Sequence, residues 1–511
     1  MRNILIAVRN ILIAVAAAAV LGACAVGPDY HRPQLQAPAA FAGAAEPVYS
    51  SDAVRVRFWM LFGDDTLDRL EDDALAANHD LRIAVAHLQA SRALLSQDRL
   101  DLAPTVTSGG GYTRQEYPPS EAFGSPTALD ERYYDAGFDA SWELDLFGRV
   151  RREVQAGRAE VERSEATLQD ARVSVTAEVA STYFELRGAQ TELDVRRRNV
   201  DNQRSTLQLT QSLLNAGRGT ELDTQRAEAQ LRSTLADIPP LQAEVARDIH
   251  RLSVLTGREP EALRDRLALP RTLPALPRVT AIGDPAGLLR RRPDIRAAER
   301  ELAASTARIG VAVGDLFPKV TFDGNFGYAA GQLSQLGTAG ARTFLIGPSI
   351  SWAAFDLGRV RARIRGARAD TDAALASYQQ TVLRALEETE NALVTHARTR
   401  DQLVQLAAAA DASHAAAGIA RARYQGGLVG FLEVLDAERT ELQADAALAQ
   451  ARTDAATSLV ALYKALGGSW QQAPAAVQLK SAAPVAAGHR ALQAPLAALQ
   501  AQPGSPRARI E

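Results

Sequence analysis

The side chain best placed for chemistry is the only cysteine of 511 residues, Cys24, which closes the stretch Leu21-Gly22-Ala23-Cys24. Small residues ahead of a thiol have the form of a lipobox: they admit a lipoprotein signal peptidase, and the thiol then receives lipid. Upstream, Arg2 and Arg9 supply a basic start, and Ile11 to Val20 form an apolar run too short for a comfortable membrane span. The heptapeptide Arg2 to Val8 recurs at once as Arg9 to Val15, lengthening the leader without changing its character. Three acyl chains, at about 0.8 kcal/mol per buried CH₂, would hold a protein on a membrane durably. The bland alternative is a secretory leader with its cysteine there by chance. A lipidated lone cysteine also leaves no disulfide.

No second constellation points to catalysis. The chain has no GxxxxGK nucleotide loop and no GxSxG elbow. Its seven histidines (His31, His79, His87, His250, His396, His414 and His489) are scattered without metal spacing. With two methionines besides the one cysteine, no soft-metal site is expected. The expectation is a protein that is not an enzyme, with no cofactor beyond an N-acyl and S-diacylglycerol lipid on Cys24. Lys+Arg number 57 against Asp+Glu 60, so no net basic face for nucleic acid is expected.

The elements that would position any site come in two copies. Ser141-Trp142, Gly148-Arg149-Val150-Arg151 and Arg158-Ala159 return as Ser351-Trp352, Gly358-Arg359-Val360-Arg361 and Arg368-Ala369. The same offset relates Gly217, Leu222, Ala227 and Glu228 to Gly427, Leu432, Ala437 and Glu438. A slightly larger one relates Asp80-Leu81-Arg82 to Asp294-Ile295-Arg296, and Asp101-Leu102-Ala103-Pro104 to Asp315-Leu316-Phe317-Pro318. The expected order in each copy is helix, Pro, strand, loop, strand, very long helix, Gly turn, helix. The expected partition is a leader over 1–23, a lipidated segment packing on the outside over 24–65, and a first repeat over 66–270. A Pro-rich linker over 271–285, a second repeat over 286–468 and an Ala/Pro/Gln-rich, loosely ordered tail over 469–511 follow.

Apolar residues fall at Val154, Val161, Leu168 and Val175, then at Leu186, Leu193, Val200, Leu207 and Leu214. Each run steps by seven, and the four-residue insertion between them is a stutter that relaxes a supercoil. A helix over about 149–215 would be roughly 100 Å long at 1.5 Å per residue. The second copy, about 359–425, is more dilute in Val360, Ile364, Ala367, Leu375, Tyr378 and Val382. Return helices are expected over about 221–256 and 432–466, the first kinked or broken by Pro239-Pro240. Part of these stripes must seal an intramolecular bundle, but helices so long call for partners beyond one chain.

Segments at about 104–114, 133–144, 318–328 and 343–355 show partial period-2 alternation, as in Phe138, Ala140, Trp142 and Leu144. Each has the length of a tilted membrane strand. Trp142 and Trp352 stand at the strand-to-helix junctions, as membrane-interface aromatics or as core. Four strands cannot close: an open sheet in lipid leaves edge amides and carbonyls unpaired at several kcal/mol each. Bacterial barrels need at least about eight strands, so strands must be pooled between copies.

These stretches resemble the TolC-like outer-membrane factors, in the lipoprotein branch that serves RND-type multidrug pumps. The carriers are Cys24-Ala25-Val26-Gly27-Pro28-Asp29-Tyr30-His31-Arg32-Pro33, Trp142-Glu143-Leu144-Asp145-Leu146-Phe147-Gly148, Arg292-Pro293-Asp294-Ile295, Arg423-Tyr424-Gln425-Gly426-Gly427, Val434-Leu435-Asp436-Ala437 and Leu462-Tyr463-Lys464-Ala465-Leu466-Gly467-Gly468. The resemblance implies a mainly α fold with transmembrane β. It also implies a homotrimer with a twelve-stranded barrel pooled from four strands per chain, a periplasmic α-helical tunnel and a belt around its middle. It further implies a periplasmic adaptor (membrane fusion protein), an inner-membrane RND pump and passive conduction of drugs or other small molecules. Ala25, where an Asp is associated with retention at the inner membrane, favours the outer membrane.

Matched motif to motif, the family's periplasmic gate falls on Asp223, Tyr424, Glu433 and Asp436, at helix tips turned by Gly217 and Gly427. Carboxylates from three chains meeting on one axis would form a ring that attracts cations. Alternatively, the acids only complement helix N-terminal dipoles, at about 0.3–1 kcal/mol each, and the glycines only punctuate helix ends. Val429 stands where some relatives place a basic partner, so Arg218, Arg421 or Arg423 is expected to close the network. A type I secretion channel, a metal-efflux channel and a structural periplasmic coiled-coil lipoprotein are the rival readings.

Overall fold

Two facing glycines set how closely the two central strands of the sheet approach. The computed structural model describes residues 25–34, 37–55, 57–117 and 129–468; the leader, Cys24 and the 469–511 tail lie outside the described residues. Its four long strands are β2 (Thr105–Tyr117), β3 (Leu129–Leu144), β5 (Lys319–Ala330) and β6 (Arg342–Ser351), in the order β2-β3-β5-β6. All neighbours are antiparallel, with Thr105 opposite Ser141, Gly137 opposite Gly327 and Lys319 opposite Ser351. A Cβ on Gly327 would stand 2.6 Å from the Ala136 carbonyl oxygen, and one on Gly137 2.8 Å from that of Phe326. Only glycine lets β3 and β5 approach so closely.

The two faces of this sheet differ in kind. One carries the rows Phe138–Phe326–Phe344, Trp142–Phe322–Pro348 and Leu144–Val320–Ile350. On the other, Ser141 Oγ donates to Asp323 Oδ1 at 2.8 Å, Asn325 Nδ2 to Asp139 Oδ1 at 2.7 Å, and Ser349 Oγ to Asp323 Oδ2 at 2.8 Å. The outer edges of β2 and β6 have no partner among the described residues.

The strand limits differ from those expected at three ends. β2 and β3 run on to pair Tyr117 with Leu129, because cross-strand bonding carries the ladder beyond the alternating residues. β6 stops at Ser351 rather than 355, since the Asp356 N–H turns back onto the Ala353 carbonyl at 2.9 Å.

From the sheet, the chain passes into α3 (Arg149–Asn215) in the first repeat and α9 (Leu357–Gln425) in the second. Gly148, at φ +81°, turns the chain into α3, and the Asp145 carboxylate accepts from the Arg151 N–H at 2.9 Å. The returns are α4 (Glu221–Ala236) with α5 (Ile238–Leu255), and α10 (Phe431–Ala465). The first return breaks at Asp237, so the two prolines occupy the first turn of α5, where their missing N–H groups leave no gap.

Leading into the strands are α1 (Asp65–Ala77) and α2 (His79–Leu100) in one copy, and α7 (Pro285–Arg291) and α8 (Pro293–Gly314) in the other. A short α6 (Arg264–Leu267), a parallel pair, β1 (Tyr49–Ser50) with β4 (Thr280–Ala281), and four short 3-10 turns are the other elements among the described residues. Among the described residues no helix is long and apolar enough to cross a membrane.

The largest core surrounds the stretch of α3 that holds the stutter. Phe58, Trp59, Tyr183, Phe184 and Tyr463 are buried there, with Phe58 stacked on Tyr463 at 5.1 Å and Phe62 edge-on to Phe184 at 4.7 Å. A Cβ on Gly188 would lie 2.0 Å from Thr453 Oγ1, so this glycine lets α10 press against α3.

Candidate functional site at the helix tips

Both tips are built by one backbone device. After α3, Gly217 (φ +64°) donates to the Leu214 carbonyl at 2.9 Å and Arg218 N–H to Leu213 at 2.9 Å. After α9, Gly427 (φ +71°) donates to Tyr424 at 2.9 Å and Leu428 N–H to Arg423 at 2.9 Å. These paired bonds are the Schellman closure, which needs a left-handed residue just past the helix. The two tips adjoin, for a Cβ on Gly427 would lie 3.7 Å from Arg218 Nη2.

The side chains carried by these turns divide into two groups. Asp223 sits at the third position of α4, where Thr220 Oγ1 accepts from its N–H at 3.2 Å and donates to its Oδ2 at 2.7 Å. Thr220 thus caps the helix, and its hydroxyl, not its backbone N–H, holds the Asp223 carboxylate. Tyr424 is buried on Phe431, ring centroids 5.6 Å apart, within a small cluster of Ala227, Phe431 and Val434. Burial pushes the Tyr424 phenol up, and the Asp223 carboxylate adds to the shift, so the two tips meet electrostatically.

Glu433 and Asp436, by contrast, are exposed on α10 and have no side-chain partner among the described residues. Glu433 leans over its own helix start: Oε2 lies 3.1 Å from where a Cβ of Gly430 would be.

Of the three expected basic partners, Arg421 is not beside these acids. Its Nη2 lies 2.8 Å from Glu441 Oε2 and its Nε 3.6 Å from Glu438 Oε1, two turns behind the tip on α10. The reach of a guanidinium along the α9–α10 seam favours the buried carboxylates over the exposed ones. Thr206 of α3 donates to Glu438 Oε1 at 2.8 Å, and His414 Nδ1 lies 2.7 Å from Glu441 Oε1. Both glutamates are nearly buried, at 6% and 4% exposure. Burial raises the Glu438 carboxyl above its usual range, with Glu441 adding to the shift while Thr206 and Arg421 oppose it. Asp445, next along the face, is raised by burial and by Glu441.

Sequence reasoning missed this cluster. The signal was present: Phe431, Val434, Glu438 and Glu441 form one helical stripe, and two acids in an apolar stripe need a buried counter-charge. Arg218 and Arg423 remain exposed at the tips.

At the opposite end, Trp142 Nε1 donates to the Leu102 carbonyl at 2.9 Å and Trp352 Nε1 to that of Leu316 at 3.0 Å. The same bond recurs in both copies, with each indole pinned to the end of the preceding helix segment.

The chain matches the sequence model of a family described as outer membrane efflux protein over residues 70–258 and 285–468. It is 32% identical over 456 residues to the outer membrane protein OprJ of Pseudomonas aeruginosa, covering 88% of this chain and 94% of that one. It is 31% identical to the toluene efflux pump outer membrane protein TtgI of Pseudomonas putida, over 88% of this chain and 96% of that one. Among solved structures, the outer-membrane channel OprN superposes with a TM-score of 0.83 at 47% identity, covering 88% of this chain and all of that one, 100%.

Proposed function

The chain belongs to the outer membrane efflux protein family and is an outer-membrane efflux channel with a TolC-like fold, and from that premise we propose that it works as a homotrimer. The carrying observation is the four-stranded sheet whose two outer edges, on β2 and β6, are unpaired among the described residues. In hydrocarbon each unpaired edge group costs several kcal/mol, and three copies remove every edge by closing twelve strands. The acidic, hydrogen-bonded face of Asp139, Asp323 and Asn325 then lines the pore, and the phenylalanine rows meet lipid.

On this reading Cys24 carries the N-acyl and S-diacylglycerol anchor, and Trp142 and Trp352 sit at the periplasmic interface. A periplasmic adaptor and an inner-membrane RND pump dock at the other end, where Leu222, Leu428 and Leu432 stand exposed. Asp223, Tyr424, Glu433 and Asp436 form the gate, with Gly217 and Gly427 as its turns. The channel conducts passively and the pump supplies the energy. Its cargo is small apolar molecules, a class that includes the toluene named for one relative.

Light scattering of the detergent-extracted protein with planar-bilayer recording tests the core of this reading. A trimer mass with discrete conductance steps is expected; a non-conducting monomer would overturn it. Deleting the gene and profiling susceptibility to drugs, solvents and metals tests the cargo, and sensitivity to metals alone would reassign it.

A further inference from the structure

We infer that Arg152 and three glycines around it form a clip that seats the N-terminal segment at the foot of the strands and sets where the lipid-bearing end of the chain enters the membrane. The inference rests on the lipid-anchor reading of Cys24. Arg152, in the first turn of α3, is only 4% exposed. A buried guanidinium must have its donors met, or it is expensive to keep. Here Nε donates to the Val26 carbonyl at 3.0 Å, Nη2 to those of Ala25 at 3.4 Å and Gly27 at 3.2 Å, and Nη1 to Gln155 Oε1 at 2.8 Å. Asp29 pairs with Nη2 at 2.9 Å but is largely exposed, so the run of three carbonyls is the main attachment.

The slot leaves room for little more than bare backbone. Val26 N–H donates to the Phe147 carbonyl at 3.0 Å. A Cβ on Gly27 (φ +90°) would meet Gly310 Cα at 2.5 Å, one on Gly310 would meet Arg152 Cγ at 2.7 Å, and one on Gly148 would meet Ala25 Cα at 2.6 Å. Backbone therefore lies against backbone between α3 and α8. Phe147 follows the end of β3 at Leu144, close in sequence to Trp142, so the clip holds Ala25 at the level where strands give way to helices. Ala25 adjoins Cys24, and its position fixes where any lipid on that cysteine can begin.

The test uses the full-length protein and two variants, Arg152→Ala and Gly27→Ala, each with Cys24 intact or as Cys24→Ser behind an ordinary secretory leader. Three quantities are read: intact mass, hydrogen exchange at Val26, and the fraction assembled as channel in the outer membrane. Arg152→Ala is expected to keep the acylated mass and the single-channel conductance, to speed Val26 exchange at least tenfold, and to lower the assembled fraction several-fold only when Cys24 is present. Gly27→Ala should do the same by a different route. Unchanged Val26 exchange, or an equal loss of assembly in both Cys24 backgrounds, would overturn the clip while leaving the anchor standing. An unacylated wild-type mass would remove the anchor itself, and the clip's role with it.

Discussion

Asp436 stands exposed near the start of α10 without a side-chain partner among the described residues, as an aperture acid should if its partners belong to neighbouring copies. Asp436→Ala is expected to raise single-channel conductance in planar bilayers, and unchanged conductance would take this residue out of the gate. Behind it, Arg421 is the one guanidinium among the described residues that serves Glu438 and Glu441. Removing one partner of a buried pair strands the other, so Arg421→Ala should destabilise the tip by about 3 kcal/mol, the low end of the usual range because Arg421 is itself 28% exposed. Protease susceptibility of the α9–α10 hairpin reads this directly.

The same cluster sets a pH dependence. Its facing groups are His414 and Arg421 on α9, Thr206 on α3, and Glu441 and Asp445 on α10. Glu438 binds its proton more readily folded than unfolded, so its contribution is fully present below the ordinary carboxylate range and lost as pH rises through its raised value. The hairpin should therefore resist protease better as pH falls from neutral, and Glu438→Gln should flatten that slope. An undiminished slope in the variant would assign it to another group. Motif places the tip acids on the chain, whereas which arginine serves which acid depends on how far a flexible side chain reaches across a helix seam, and spacing does not encode that.

At the scale of elements, the clearest signals were those with a single physical cause. Pro239-Pro240 can only sit in a first helical turn, and α4 gives way to α5 just ahead of them. The sevenfold stripe of α3 needed no structure to be read. The strand ends were less legible, because the Tyr117–Leu129 pair is held by its partner strand rather than by its own pattern, and Trp352 to Phe355 looked extended until Asp356 turned the chain. The close approach of α10 to α3 at Gly188 was invisible, since a helical glycine carries no sign of its neighbour. Gly188→Ala would force a methyl into Thr453 and should cost about 1–3 kcal/mol. Adding Thr453→Ala should restore part of the thermal midpoint; a Gly188→Ala protein as stable as wild type would mean the two helices can part freely here.

For the whole molecule, the decisive asymmetry is between the faces of one sheet. Phe326 is the centre of a row that continues to Phe138 on one side and Phe344 on the other, and Asn325, its neighbour in sequence, points the opposite way to bond Asp139. If pooled strands close around water, a charge at these adjacent positions must have unlike effects. Phe326→Arg places a cation in hydrocarbon at about 2–4 kcal/mol near the midplane, and three copies multiply that penalty within one barrel. The expected result is a sharp fall in heat-modifiable trimer in the outer membrane. Asn325→Arg puts the same charge into the pore beside Asp139 and Asp323; assembly should survive while conductance or cation preference drops. The opposite ranking would turn the barrel inside out and remove the physical ground for reading the acidic face as the lumen. Equal loss in both would mean that neither face tolerates charge, which a water-filled channel cannot explain.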